Sequence, residues 1–153
     1  MKIRRRARIT ALQALFEVDS VGHDAALSLR RRLEEGTLPP EGERFCRHLA
    51  EGALEHCESL DRIIQRIAPE WPIQQMAIID RNILRLAAFE LLFDHDSPPK
   101  VVINEAVELA KLFGSDSSGR FVNGVLGTLV ARRQEYAKEA ATPETPTLPQ
   151  TTS

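Results

Sequence analysis

Five cations, Lys2, Arg4, Arg5, Arg6 and Arg8, stand within the first eight residues, with no acid among them. Arginine binds phosphate through two parallel N–H groups and stacks on bases, so a cluster of this density is chemistry for a polyanion. Charge runs usually mark solvated surface. This one leads directly into an amphipathic pattern, which would hold the guanidiniums in fixed directions. Arg5, Ile9, Leu12 and Phe16 follow a four-three-four spacing that lines one side of a helix. On that side Phe16 is either a core residue or a face on which an unpaired base stacks.

A second group is Ser115-Asp116-Ser117-Ser118-Gly119-Arg120-Phe121-Val122-Asn123-Gly124. Hydroxyls, free amides at a helix start and an arginine together suit a phosphate, and Phe121 is a candidate base platform. Ordinary helix capping would satisfy the same residues. A third group, Asp80, Arg81, Arg85 and Glu90, is polar within an apolar stretch, as solubilising charges or as the polar part of a protein interface. Gly124 and Gly127 weaken a helix interior, which points to close helix packing there.

Enzymatic chemistry finds no foothold. The chain has no Gly-x-Ser-x-Gly elbow, no Gly-x-x-x-x-Gly-Lys-Ser/Thr loop and no Cys-x-x-Cys pair. Glu105, Glu108 and Lys111 recur every three residues, the pattern of an exposed charge ladder. Cys46, His48, His56 and Cys57 match a zinc set in composition alone, because along one helix they spread over three turns and face different ways. The two cysteines would lie about 16 Å apart on that helix, beyond disulfide reach, and read as free core thiols. Asp94-His95-Asp96 reads as a polar loop rather than a metal site.

The elements that must position these groups follow from periodicity. Ala7, Ala11, Leu15 and Val18 mark a helix from Arg4 to about Ser20, broken at Val21-Gly22-His23. A second runs from about Asp24 to Glu35, with Gly36 as its stop and Leu38-Pro39-Pro40 as a linker. One long helix is expected from Glu41 to just before Pro69, followed by a turn around Trp71. The stretch from about Gln74 to Asp94 is apolar on nearly every side and should be the centre of the fold. Ile103, Ala106, Val107, Ala110 and Phe113 define the inward face of a helix ending at Gly114. A last helix extends from the Ser115–118 caps to about Ala140. The fold class is all-α, with one domain over residues 1–140 and a disordered tail, rich in proline and threonine, over 141–153.

Composition agrees. A chain of 153 residues that is 42% hydrophobic supports one well-cored domain. Leu, Ala, Arg and Glu dominate while aromatics are scarce, which favours helices. No apolar run reaches bilayer length and the N-terminus lacks a secretion signal, so a soluble cytoplasmic protein is expected. The net charge of −2 hides an asymmetry: 15 basic residues outside the first eight positions face all 22 acids, an excess of seven negative charges. A basic start on an acidic body suggests a polyanion site and a separate surface for a basic partner.

Three stretches in register resemble the NusB family of transcription antitermination factors. They are Arg4-Arg5-Arg6-Ala7-Arg8 leading into Ala11-Leu12-Gln13-Ala14-Leu15-Phe16, then Asp80-Arg81-Asn82-Ile83-Leu84-Arg85-Leu86-Ala87-Ala88-Phe89-Glu90-Leu91, and finally Lys100-Val101-Val102-Ile103-Asn104-Glu105-Ala106-Val107-Glu108-Leu109-Ala110-Lys111-Leu112-Phe113-Gly114 with Arg120-Phe121-Val122-Asn123-Gly124-Val125-Leu126. The resemblance implies about seven helices in two packed subdomains, the first three helices in one. It implies a non-enzymatic protein with no cofactor, no metal and no small-molecule substrate. With the ribosomal protein NusE it would bind single-stranded boxA RNA of ribosomal RNA leaders, within the RNA polymerase antitermination complex. RNA contact would fall to Lys2, Arg4, Arg5, Arg6, Arg8, Gln13, Phe16, Ser117, Ser118, Arg120, Phe121 and Asn123. NusE would dock on Asp80, Arg81 and Leu84, a surface separate from the RNA face. Phe16 stands where the family usually has tyrosine, and Gly127 where it more often has an acid. Two alternatives stay open: an RNA-targeting domain like that of ribosomal RNA methyltransferases, and a purely protein-binding helical adaptor.

Overall fold

In the computed structural model, which describes residues 2–141, the described chain forms eight α-helices and one 3-10 turn, with no strand. The first helix, α1 (Ile3–Val21), buries Ala7, Ala11, Leu12, Ala14 and Leu15. Its alanines let neighbouring backbones come close. It stops at Gly22, whose φ of 71° is the left-handed value that favours glycine and whose N–H reaches back to the Val18 carbonyl. Asp24 then caps α2 (Ala25–Glu35), its carboxylate accepting from the Leu27 N–H at 2.9 Å. Pro40 lies in the first turn of α3 (Pro40–Glu55), where its missing N–H costs nothing.

The long helix expected up to Pro69 is two helices. The chain turns at His56, between α3 and α4 (Cys57–Ile67). Packing rather than a breaker residue holds the turn: the His56 ring stacks on Phe93 at 4.0 Å, and the Phe89 ring presses on Gly52 one turn earlier. A Cβ at Gly52 would sit 2.1 Å from Phe89 Cζ, so no larger residue fits this crossing. After a 3-10 turn at Ile73–Gln75, the central helix α5 (Ile78–Leu92) buries ten of its 15 residues. It packs against α1, α3, α4 and the last three helices. Helix α6 (Pro99–Phe113) buries Val102, Ala106, Leu109 and Ala110, whereas Phe113, expected inward, is 42% exposed.

The expected last helix is also divided, into α7 (Ser118–Ala131) and α8 (Arg133–Ala141), with the break at Arg132. Turning there lets Arg133 donate to the Leu91 carbonyl at the end of α5 at 2.8 Å and brings Tyr136 fully into the core. Gly124 and Gly127 have nothing within 4 Å of where a Cβ would project, so close packing is not their role; that role falls to Gly52. Ala141, placed in the tail by the sequence, ends α8, and the rest of the expected tail lies outside the described residues.

A polar network spans the junction of α1, α4 and α5. Arg81 grips Asp19 through two contacts at 2.6 and 2.7 Å, Asn82 donates to Asp19 at 2.9 Å, and Arg85 bridges Asp19 at 3.0 Å and Asp61 at 2.7 and 2.8 Å. Burial pushes the Asp19 carboxyl up, but hydrogen bonds from Arg81 and Asn82 and the charge of Arg85 outweigh it and hold it below the ordinary value. Both cysteines are free thiols. Cys46 is fully buried, and burial pushes its pKa up to about 12.

Candidate nucleic-acid interface

The first turns of α1 begin at exposed Lys2, and the arginines that follow are tied down rather than free. Arg4 pairs with Asp96, donates to Ser97 Oγ at 3.0 Å and lies over the Phe45 ring at 4.4 Å. Arg5 gives Nε and Nη2 to the two oxygens of Glu105 at 2.9 and 3.2 Å. Arg6 donates to the Thr37 carbonyl and hydroxyl at 2.9 and 2.7 Å, which leaves its charge uncompensated by that contact. Arg8, expected at the RNA surface, is 4% exposed and locked to Glu90 at 2.9 and 2.7 Å. It cannot reach a phosphate. It lies on the inward side of α1, beside Ala7 and Ala11.

Further along α1, Gln13 and Phe16 border a cleft whose other walls are Ile78 and Ile79 at the start of α5 and Phe113 at the end of α6. Phe16 is 39% exposed, so its ring is available as well as packed. A second cleft lies across the start of α5. Trp71, more than half exposed, meets Phe121 edge to face with ring centroids 6.4 Å apart. Ser115, Ser117, Arg120 and Asp80 complete the walls. Exposed Ala77, just before α5, borders both clefts.

Ser117 is exposed at the start of α7, and Asn123 is exposed one turn into it. Ser118, also expected at the RNA surface, is 1% exposed, and its hydroxyl accepts the Ser115 N–H at 2.9 Å, so it shapes the loop from inside. The expected protein-docking set does not form one surface. Leu84 is wholly buried in the core, and Arg81 is turned inward on Asp19 with its side chain 13% exposed. Asp80 instead lies in the same cleft as Phe121 and Arg120, against the expected separation of the two surfaces. Its Oδ1 is buried and without a hydrogen-bond partner. Trp71, read from sequence only as part of a turn, is the site residue that reasoning missed. An aromatic between Pro69 and Pro72 is the available signal, because prolines hold a loop in shape.

The cleft around Phe121 carries two aromatic rings, a carboxylate, serine hydroxyls and an arginine, without a histidine or thiol among them. Among the described residues, no three His, Cys, Asp or Glu side chains converge as a metal set, and no helix is long and apolar enough to cross a membrane. Fold and face define a class: a small all-helical protein with an open, aromatic-lined recognition surface. The chain belongs to the NusB family, whose pattern matches residues 5–131. It is 57% identical over 138 residues to the transcription antitermination protein NusB of Roseiflexus sp. (strain RS-1), covering 89% of this chain and 97% of that one. It is 55% identical over 131 residues to the same protein of Chloroflexus aggregans, covering 84% and 87%. Among solved structures, NusB of T. maritima superposes with a TM-score of 0.80 at 35% identity, covering 88% of this chain and 96% of that chain. A chain from a crystal structure of antitermination factors NusB and NusE in complex with double-stranded RNA superposes at 0.79 with 30% identity, covering 86% and 98%.

Proposed function

We propose that this protein is an RNA-binding transcription antitermination factor of the cytoplasm. With the ribosomal protein NusE it binds single-stranded boxA RNA of ribosomal RNA leader transcripts and promotes read-through by RNA polymerase. The observation that carries the reading is a pair of clefts that share exposed Ala77, one bordered by Gln13 and Phe16 and the other by the Trp71–Phe121 pair. Unpaired bases have open faces for such rings, and stacking tolerates any base. Lys2, Arg6 and Arg120 supply positive charge. Family membership and the neighbouring NusB–NusE assembly with double-stranded RNA support NusE and an RNA as partners, and the single-stranded form rests on the exposed rings. The protein recognises rather than catalyses. The partner meets residues other than Arg81 and Leu84, and Asp80 is reassigned to the RNA face.

The folded region is one domain of two helical groups, α1–α3 and α4–α8, packed together through the central helix α5. Titrating labelled boxA RNA with the protein, alone and with NusE, tests the function. Saturable binding that tightens when NusE is present is the expected result. Equal affinity for boxA and an unrelated strand of the same length, with no effect of NusE, would overturn the proposal.

A further inference from the structure

Three arginines at the start of α1 contact carboxylates, and the three pairs differ in kind. Arg8–Glu90 is sealed in the core, with side chains 5% and 3% exposed. Arg4–Asp96 is open to solvent and rests on a loop acid. Arg5–Glu105 shares the two-pronged geometry of Arg8–Glu90 but is intermediate in exposure. Two parallel N–H groups meet two oxygens of one anion, with the side chains 36% and 17% exposed. That is the mode in which arginine grips a phosphate. Arg5 also lies on the same helix, α1, as Gln13 and Phe16, which border the first cleft.

We infer that Glu105 occupies the phosphate-binding edge of Arg5 as an intramolecular competitor, and that the strand must displace this carboxylate to use Arg5. The inference rests on the RNA-binding reading above. Both partners sit on helices, α1 and α6, so the carboxylate is held at high local concentration and does not diffuse away as a salt ion would. The charge of Glu108 acts on the same guanidinium. A phosphate approaching Arg5 therefore meets an arginine whose Nε and Nη2 are already engaged and whose charge is already compensated. Affinity for RNA is set below what the arginine content alone would give.

The experiment is a salt titration of binding to labelled boxA RNA, comparing the intact protein with Glu105→Gln, Arg5→Gln and the double variant. Circular dichroism fixes the folded fraction of each. If Glu105 competes, Glu105→Gln frees one phosphate contact and steepens the plot of log affinity against log salt by about 0.7. That corresponds to roughly fivefold tighter binding at about 0.1 M salt, with the gain vanishing near 1 M. The gain should disappear in the double variant, because it acts through Arg5. Unchanged or weaker binding by folded Glu105→Gln would overturn the inference and make Glu105 a clamp that orients Arg5. A gain that persists without Arg5 would overturn it too, since general charge would then be the cause. If the intact protein binds no RNA at any salt, the functional reading fails first and the inference falls with it.

Discussion

Trp71 and Phe121 make the most direct claim of any single residues, because Trp71 is more than half exposed and meets, edge to face, a Phe121 ring that packs on the core. Trp71→Ala and Phe121→Ala should each weaken RNA binding by about 1 to 3 kcal/mol if a base stacks on the ring. Anisotropy titrations on variants shown to be folded would measure this, and wild-type affinity in both would remove the pair from the interface. Residue type alone revealed half of this site. Arg120 and Phe121 stood out because an arginine beside an aromatic at a helix start has a recognisable use. Trp71 did not, since its partner lies fifty positions away in the chain. Arg8 and Ser118 were misplaced for the converse reason. Each has the right functional group, and its partner decides that the group points inward: Glu90, 82 positions away, for Arg8, and the adjoining Ser115 loop for Ser118.

At the scale of helices, glycine separates two kinds of position. Gly52→Ala would drive a methyl into the Phe89 ring and force α3 away from α5, which should destabilise the fold by about 1 to 3 kcal/mol as overpacking. Gly124→Ala and Gly127→Ala meet open space and should stabilise α7 by about 0.5 to 1 kcal/mol each, through helix propensity. Urea denaturation of the three variants distinguishes them, and a loss of stability at Gly124 would show a packing contact there after all. Helices with local punctuation were legible in advance. α2 and α6 have proline, aspartate or glycine at their ends, and their apolar spacing is clean. The turns at His56 and Arg132 carry no such mark. They arise where rings and carbonyls of α5 attract side chains from another part of the chain, and periodicity continues undisturbed across them.

For the molecule as a whole, the Asp19 network holds α1, α4 and α5 together and should give the fold a signature in acid. Asp19 has a depressed value when folded, so its contribution is fully present above the unfolded carboxyl value of about 4 and is lost as pH falls through the lower, folded one. Asp19→Asn should therefore be less stable than the parent at neutral pH, with the gap closing as pH falls below the unfolded carboxyl value of about 4. Chemical denaturation at several pH values would show it, and a gap independent of pH would mean that Asp19 contributes by shape alone. The pairs that fasten α1 join residues 82 and 100 positions apart, Arg8 to Glu90 and Arg5 to Glu105. During synthesis the arginines emerge first and their acids last, and at about 5 to 20 residues per second the wait is roughly 4 to 20 seconds. For that interval the nascent chain extends a cluster of unmatched positive charge beside the ribosome, a surface made largely of RNA. Completing the carboxylate pairs is then also what masks that charge as the chain folds.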